Sequence, residues 1–461
     1  MKNIWILTEE MPKNNVIQVI LEKITVDFRF QTKINKLRII PIIKSGCFMF
    51  IYKAEGVVSK NFDNVFIKIA SGNSSFVDFL VFYQEKEPDK DSEPLYAIEE
   101  TKTDDSESRN TGVYQRCSKF VYVVFYYPNI KKIMLYNLKV PQKKRPTETN
   151  IFGTRMLKTV GVEILGKTYE KTTMKPFSSL GEFVGVKNSM RKPPKGNVPI
   201  QIKISSKRIE VSGRLYKAGG IGHDPNIGAL TMIAACIRRW EKTKDIIITC
   251  HGLKQENLGR DNKFIQIANR LNIKLDGLRL PTPKSHENYW HYEKSQEKIA
   301  TIFLHVSLLA YTKAEVIYTN HGGSERSYFS HKTLGSIVIK KYQEGKKAIY
   351  KSGDKTKIIY LPDMIIYDPN INQIISVEGK RYATRKSGIK ELKNFSYIER
   401  KIIKPSYNPV STLRTVVIFG SKKNAITEKQ ISFLLNENGE MVLGKQPPEI
   451  FKRVINKLSA F

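Results

Sequence analysis

Residues 357–420 leave the chain little freedom. KIIYLPDMIIYD (357–368) is a β-branched, apolar run, and a turn rich in Asp, Pro and Asn (Asp368 to Asn372) stops it. QIISVEGK (373–380) is a second such run. Two extended runs joined by so short a turn predict a hairpin. A helical stretch follows through KSGIKELKNFSYIERK (386–401), and TVVIFG (415–420) returns as a strand. Strand, strand, helix, strand is the order of a mixed α/β unit with a buried sheet.

The N-terminal half repeats that order. FIKIA (66–70), FVDFLVFY (76–83), LYAIEETK (95–102) and FVYVVFYY (120–127) read as strands. The polar stretch between the last two is long enough for a helix. Ile227 to Trp240 and Gln296 to Tyr311 read as helices, and DIIITC (245–250) and AEVIYT (314–319) as buried strands. Two Pro- and Lys-rich stretches, residues 140–150 and 190–199, read as linkers. They predict an N-terminal domain over 1–140 and a basic linker or small segment over 141–199. A C-terminal domain with a helical part follows over 200–461.

Charge narrows the partner. Lys and Arg number 77 against 44 Asp and Glu, a formal net charge of +33 over 461 residues. A surface so unbalanced repels itself unless a polyanion offsets it. Four cysteines without CxxC spacing exclude a disulfide scaffold and argue against structural zinc, in keeping with a reduced, cytoplasmic protein. No run of about 18 apolar residues predicts a membrane span, and the first residues lack the apolar core of a signal peptide.

The hairpin carries the chemistry. Glu378 and Lys380 are two apart on a strand, so they share a face, and Asp363 can sit beside them on the neighbouring strand. Two carboxylates and an ammonium at one strand edge suit Mg²⁺, which keeps several waters and takes phosphate oxygens as further ligands. The lysine can orient an attacking water or offset charge in the transition state. Asp78, Glu100 and Lys102 repeat the spacing in the N-terminal half, with Gln115 in the helix that follows.

At these residues the chain resembles the PD-(D/E)xK nuclease superfamily. Pro362-Asp363 with Glu378-Gly379-Lys380 carries the full pattern, and the N-terminal copy has Val77 in place of proline. With its basic length, the chain is similar to type II restriction endonucleases. The resemblance implies two restriction-endonuclease-like cores in one chain, with Asp363, Glu378, Lys380, Asp78, Glu100 and Lys102 catalytic. The four carboxylates would hold Mg²⁺. It further implies cleavage of double-stranded DNA at or near a short sequence, one strand per site, as monomer or homodimer beside a cognate DNA methyltransferase, with the 141–199 segment and a helical part of 200–461 contacting DNA. Glu325 and Gln115 are accessory candidates. The alternatives are a DNA-binding protein with a nuclease-like fold that does not cut, and a structure-specific repair or RNA-processing nuclease.

Other features have plainer readings. YKAGGIGHDPNIG (216–228) lacks both P-loop and dinucleotide spacing and reads as a turn capping a helix. The seven histidines show no metal-binding spacing, and His305 reads as a core residue. The aromatic run Tyr289 to Tyr292 reads as packing under a loop rather than as a base-stacking platform.

Overall fold

The apolar runs build a mixed α/β fold of several sheets. The computed structural model describes residues 2–9, 11–72, 76–101, 112–136, 148–166, 174–190, 198–214, 224–258, 263–282, 288–292, 298–319, 326–331, 335–341, 347–352, 355–421 and 426–460.

In chain order, β1 (Asn3–Thr8), α1 (Asn14–Phe28), β2 (Thr32–Lys44), β3 (Cys47–Ser59) and β4 (Val65–Ile69) come first. Then come β5 (Ser71–Gly72), β6 (Phe79–Gln84), β7 (Tyr96–Thr101), α2 (Gly112–Val123), β8 (Lys131–Tyr136), α3 (Glu148–Thr159), β9 (Val162–Gly166) and α4 (Leu180–Ser189). They lead to β10 (Val198–Ile204), β11 (Arg208–Arg214), α5 (Asp224–Ile237), β12 (Asp245–Cys250), α6 (Lys263–Arg270), β13 (Ile273–Leu275) and β14 (Trp290–His291). Next are α7 (Lys298–Tyr311), β15 (Glu315–Thr319), β16 (Arg326–His331), β17 (Gly335–Lys341), β18 (Lys347–Ser352) and β19 (Lys355–Tyr360). The chain closes with β20 (Met364–Asp368), β21 (Gln373–Arg381), α8 (Arg385–Glu391), α9 (Ser396–Ile398), α10 (Lys404–Tyr407), β22 (Ser411–Phe419), β23 (Ile431–Leu435), β24 (Met441–Leu443) and α11 (Glu449–Leu458).

The chain forms two compact units, and they are interleaved. The first holds Met1–Ala70, Tyr83–Glu87 and Tyr292–Phe461, and the second holds Ser71–Phe82 and Pro88–His291. These limits differ from the 1–140, 141–199 and 200–461 expected from linker composition. The N-terminal 70 residues belong with the C-terminal third, and the supposed linker region carries α3, β9 and α4. Long-range packing, invisible to local composition, makes the difference.

In the first unit β15-β20-β21-β22-β23-β24 form one sheet. The β20–β21 hairpin is antiparallel, whereas β21–β22 and β22–β23 are parallel. All but the two ends of β21 is buried, as expected of a strand covered on both faces, and α7 and α8 both pack on β21 and β22. Phe303 of α7 lies with its ring 4.7 Å from Phe48 of β3 and stacked 5.9 Å from Phe433 of β23. Phe48 N–H also donates to the Gly439 carbonyl, 2.8 Å away, in the β23–β24 turn. Gly439 has φ +88°, and a Cβ there would meet that Phe48 backbone, so only glycine fits. The run 357–368, read as one strand, is two: β19 pairs with β18 and β20 with β15 and β21. Residues 361–363 are not helical or stranded, as the proline at 362 requires.

The second unit repeats the same sense of pairing. β6–β7 is an antiparallel hairpin, and β7–β8 and β8–β9 are parallel. FVYVVFYY is not the strand expected. Its first four residues end α2, and the strand that follows the helix is β8. An all-apolar aromatic run suits a buried helix as well as a strand, and here α2 packs against α5 and α6. The run Tyr289 to Tyr292 is packing: Tyr289 and Trp290 are buried, and Tyr289 lies within 6.2 Å of the rings of Phe76, Tyr122, Tyr126 and Tyr127. His305 is a core residue of α7.

A third hairpin follows the rule without its acids. β10–β11 is antiparallel and β11–β12 and β12–β13 are parallel, but β11 ends Val211-Ser212-Gly213-Arg214. Hairpin and crossover therefore do not themselves require carboxylates.

Candidate active sites

Register decides which carboxylates meet. In β20–β21 Met364 faces Val377, so the next pair outward is Asp363 with Glu378. Cross-strand neighbours share a face. The Asp363 carboxylate also accepts the Gly379 N–H at 2.8 Å, which fixes its direction. Lys380 Nζ lies 2.8 Å from Glu378 Oε1 and 3.2 Å from Glu391 Oε2 of α8. Glu378 is fully buried and Lys380 nearly so, while Glu391 reaches solvent.

Gly388 of α8 makes this possible. A Cβ on it would stand 2.6 Å from Lys380 Cγ, so the helix can lie on the lysine stem only with glycine there. Glu391 is a site residue that sequence spacing did not reveal. The signal was its place one helical turn beyond a glycine, on a helix that must cover the strand. Formally three carboxylates and one ammonium leave the pocket at −2, within a chain of +33.

The same register argument corrects the N-terminal motif. In β6–β7 Phe79 faces Ile98, so Asp78 faces Glu99, not Glu100. Asp78 N–H donates to Glu99 Oε2 at 3.2 Å, and Glu100 N–H donates to Asp78 Oδ2 at 2.7 Å, the counterpart of the Gly379 bond. Glu100 follows Glu99 on the strand and so belongs to the opposite face. Position for position, Asp78, Glu99, Glu100 and Thr101 match Asp363, Glu378, Gly379 and Lys380. Lys102, Glu325 and the side chain of Gln115 lie outside the described residues.

An ammonium is nevertheless present. Lys119 of α2 places Nζ 2.7 Å from Glu99 Oε1 and 3.7 Å from Asp78 Oδ1. Burial, then the neighbouring Asp78 charge, pushes the Glu99 carboxyl up to about 7, against the pull of Lys119. The sign follows. A carboxyl held protonated by the fold stabilises it most below pH about 4.5, and that gain disappears as pH rises through about 7. In chelator, the melting temperature of the second unit should therefore fall between pH 5 and 8, and Glu99→Gln should flatten the profile. An unchanged slope in Glu99→Gln would show that another group titrates.

Among the described residues no group of three or more His, Cys, Asp or Glu is placed to hold a metal ion. Two side chains per site, with water and phosphate completing the shell, is the arrangement Mg²⁺ accepts. Compared with known protein families, curated proteins and solved structures, the chain matches none.

Proposed function

We propose that this chain is a Mg²⁺-dependent endonuclease that hydrolyses phosphodiester bonds of double-stranded DNA, of the type II restriction kind, with PD-(D/E)xK cores in both units. The observation that carries this reading is the Asp363–Glu378–Lys380 arrangement. Two cross-strand carboxylates and a buried lysine meet at the carboxyl end of β21, which pairs antiparallel with β20 and parallel with β22, and ligands collect at the carboxyl ends of parallel strands. A basic chain would gather DNA, and the locally acidic pocket would gather the cation.

Asp363 and Glu378 would hold Mg²⁺, whose donor set of carboxylate oxygens they fit. When bound, the ion supplies Lewis acidity to the phosphate oxygens and an acidified water. The protein does the rest. The Gly379 N–H keeps Asp363 aimed at its partner. Glu378 and Glu391 hold the Lys380 ammonium between them, where it would offset the charge gathering on the scissile phosphate. The buried strand excludes bulk water around Glu378.

No helix among the described residues is long and apolar enough to cross a membrane. DNA as partner, a cognate methyltransferase, a monomeric or dimeric state and a cytoplasmic location belong to the same proposal. Incubating supercoiled plasmid with the protein and Mg²⁺ should convert it to products with defined ends, and excess chelator should stop the reaction. Cleavage in chelator would reject the metal mechanism. Binding should also weaken steeply with salt, by roughly 10³ or more between 50 and 200 mM if about six phosphates are contacted. A flat response would mean the charge serves another partner.

A further inference from the structure

The second unit offers an ammonium that no strand spacing locates. We propose that Asp78, Glu99 and Lys119 form a second phosphodiester-hydrolysing centre, in which the lysine is delivered by helix α2 and not by the hairpin. The inference rests on the nuclease reading of the first unit and extends it to residues outside the Glu-x-Lys spacing.

Four observations carry it. The hairpin and the two successive parallel pairings beyond it repeat in the two units, with Asp78 opposite Glu99 as Asp363 is opposite Glu378. The orienting bond repeats as well, from Glu100 N–H at 2.7 Å and from Gly379 N–H at 2.8 Å. The third position differs, since Thr101 stands where the first unit has Lys380. The helix after the hairpin also differs, and in the opposite sense. In the first unit it brings Glu391 to the lysine, and in the second it brings Lys119 to the acids. The carrier of the ammonium has changed while the ammonium beside the paired carboxylates has been kept. A fold with this strand order does not need the trio, because the β10–β11 hairpin does without acids at the corresponding end.

Access agrees. The Lys119 and Asp78 side chains retain 22% and 14% of their exposure, so this ammonium is more open to a phosphate than Lys380 at 8%. The chemistry is hydrolysis of a nucleic-acid phosphodiester. A water oxygen bonds to phosphorus as the P–O3′ bond breaks. The electron pair of that bond leaves on O3′, which gains a proton while the water loses one. Lys119 would stand by the phosphate as a fixed positive charge, and Asp78 and Glu99 would hold the divalent cation. Two centres let one chain cut both strands of a duplex.

The test uses the full-length chain, supercoiled plasmid with Mg²⁺, and Mn²⁺ alone as a binding probe read by electron paramagnetic resonance. Wild type should give linear DNA and bind two Mn²⁺. Lys119→Ala should stop at open circle nicked in one strand, and Lys380→Ala at open circle nicked in the other. Lys102→Ala should cut like wild type. Glu99→Gln should bind one Mn²⁺ and Glu100→Gln two. Lys119→Ala strands a buried carboxylate, so the double variant Glu99→Gln/Lys119→Met, which keeps the volume without charge, guards against misfolding and should also nick. The proposal is overturned if both Lys119 variants linearise the plasmid at the wild-type rate, or if Glu99→Gln still binds two Mn²⁺. Failure of the parent reading looks different: wild type itself would not cut, and this proposal would fall with it.

Discussion

Glu378→Gln should give a folded chain that binds DNA as tightly as wild type and has lost cleavage by the first unit. Glutamine matches glutamate in volume, and the side chain is wholly buried, so packing is preserved. What disappears is the charge that faces Asp363 across the hairpin and holds Lys380. Removing one preorganised electrostatic group from a site of this kind slows the reaction by about 10²–10³-fold, and this group is also a proposed cation ligand. A loss of about 10³-fold or more in the rate of cutting one strand is therefore expected. Quantifying strand-specific ends in single-turnover digests measures it. A Glu378→Gln chain that cuts both strands within tenfold of wild type would remove Glu378 from the active site.

Arg414→Ala should cost more stability than any surface charge change. Glu399 is buried, and it accepts the Ser376 hydroxyl at 2.8 Å and the Arg414 guanidinium at 3.0 and 2.6 Å. The guanidinium is partly exposed, but the carboxylate is not. Taking away the arginine leaves an uncompensated buried charge, for which about 3 kcal/mol is expected. For a unit of this size that lowers the melting temperature by about 6–12 °C. Adding Glu399→Gln removes the charge and should recover most of the loss. Calorimetry of the single and double variants decides it. Equal melting of wild type and Arg414→Ala would show that water already satisfies Glu399.

Much of the first unit's hairpin is legible from spacing alone. The Asp-Pro-Asn turn is short, and a strand's period of two places Glu378 and Lys380 on one face, although the apolar run reads straight through the break at Pro362. Spacing failed where two solutions differ by one residue. Glu99-Glu100-Thr101-Lys102 offers Glu-x-Lys at 100 and 102, yet pairing of Phe79 with Ile98 puts 99 in the site. A one-residue slip turns every side chain to the other face, and only the partner strand fixes the register. Lys119 was out of reach because its route to the site runs through a helix. The packing of α2 against its neighbours, not sequence distance, sets where its side chain arrives. FVYVVFYY misled for a related reason, since an all-apolar run shows no period that separates helix from strand.

The interleaving of the units bears on how the protein is made. Phe48 is bonded to Gly439, and 439 − 48 = 391 residues must be added before the second exists. At about 5–20 residues per second that is roughly 20–80 s of synthesis. The second unit's residues leave the ribosome whole in that interval, while β1 to β4 wait with their aromatic face uncovered. The nascent chain is thus in need of shelter at its front end. The strands beyond Glu378, β22 and β23, are likewise made late, so a chain stopped short of them lacks a finished sheet in the first unit.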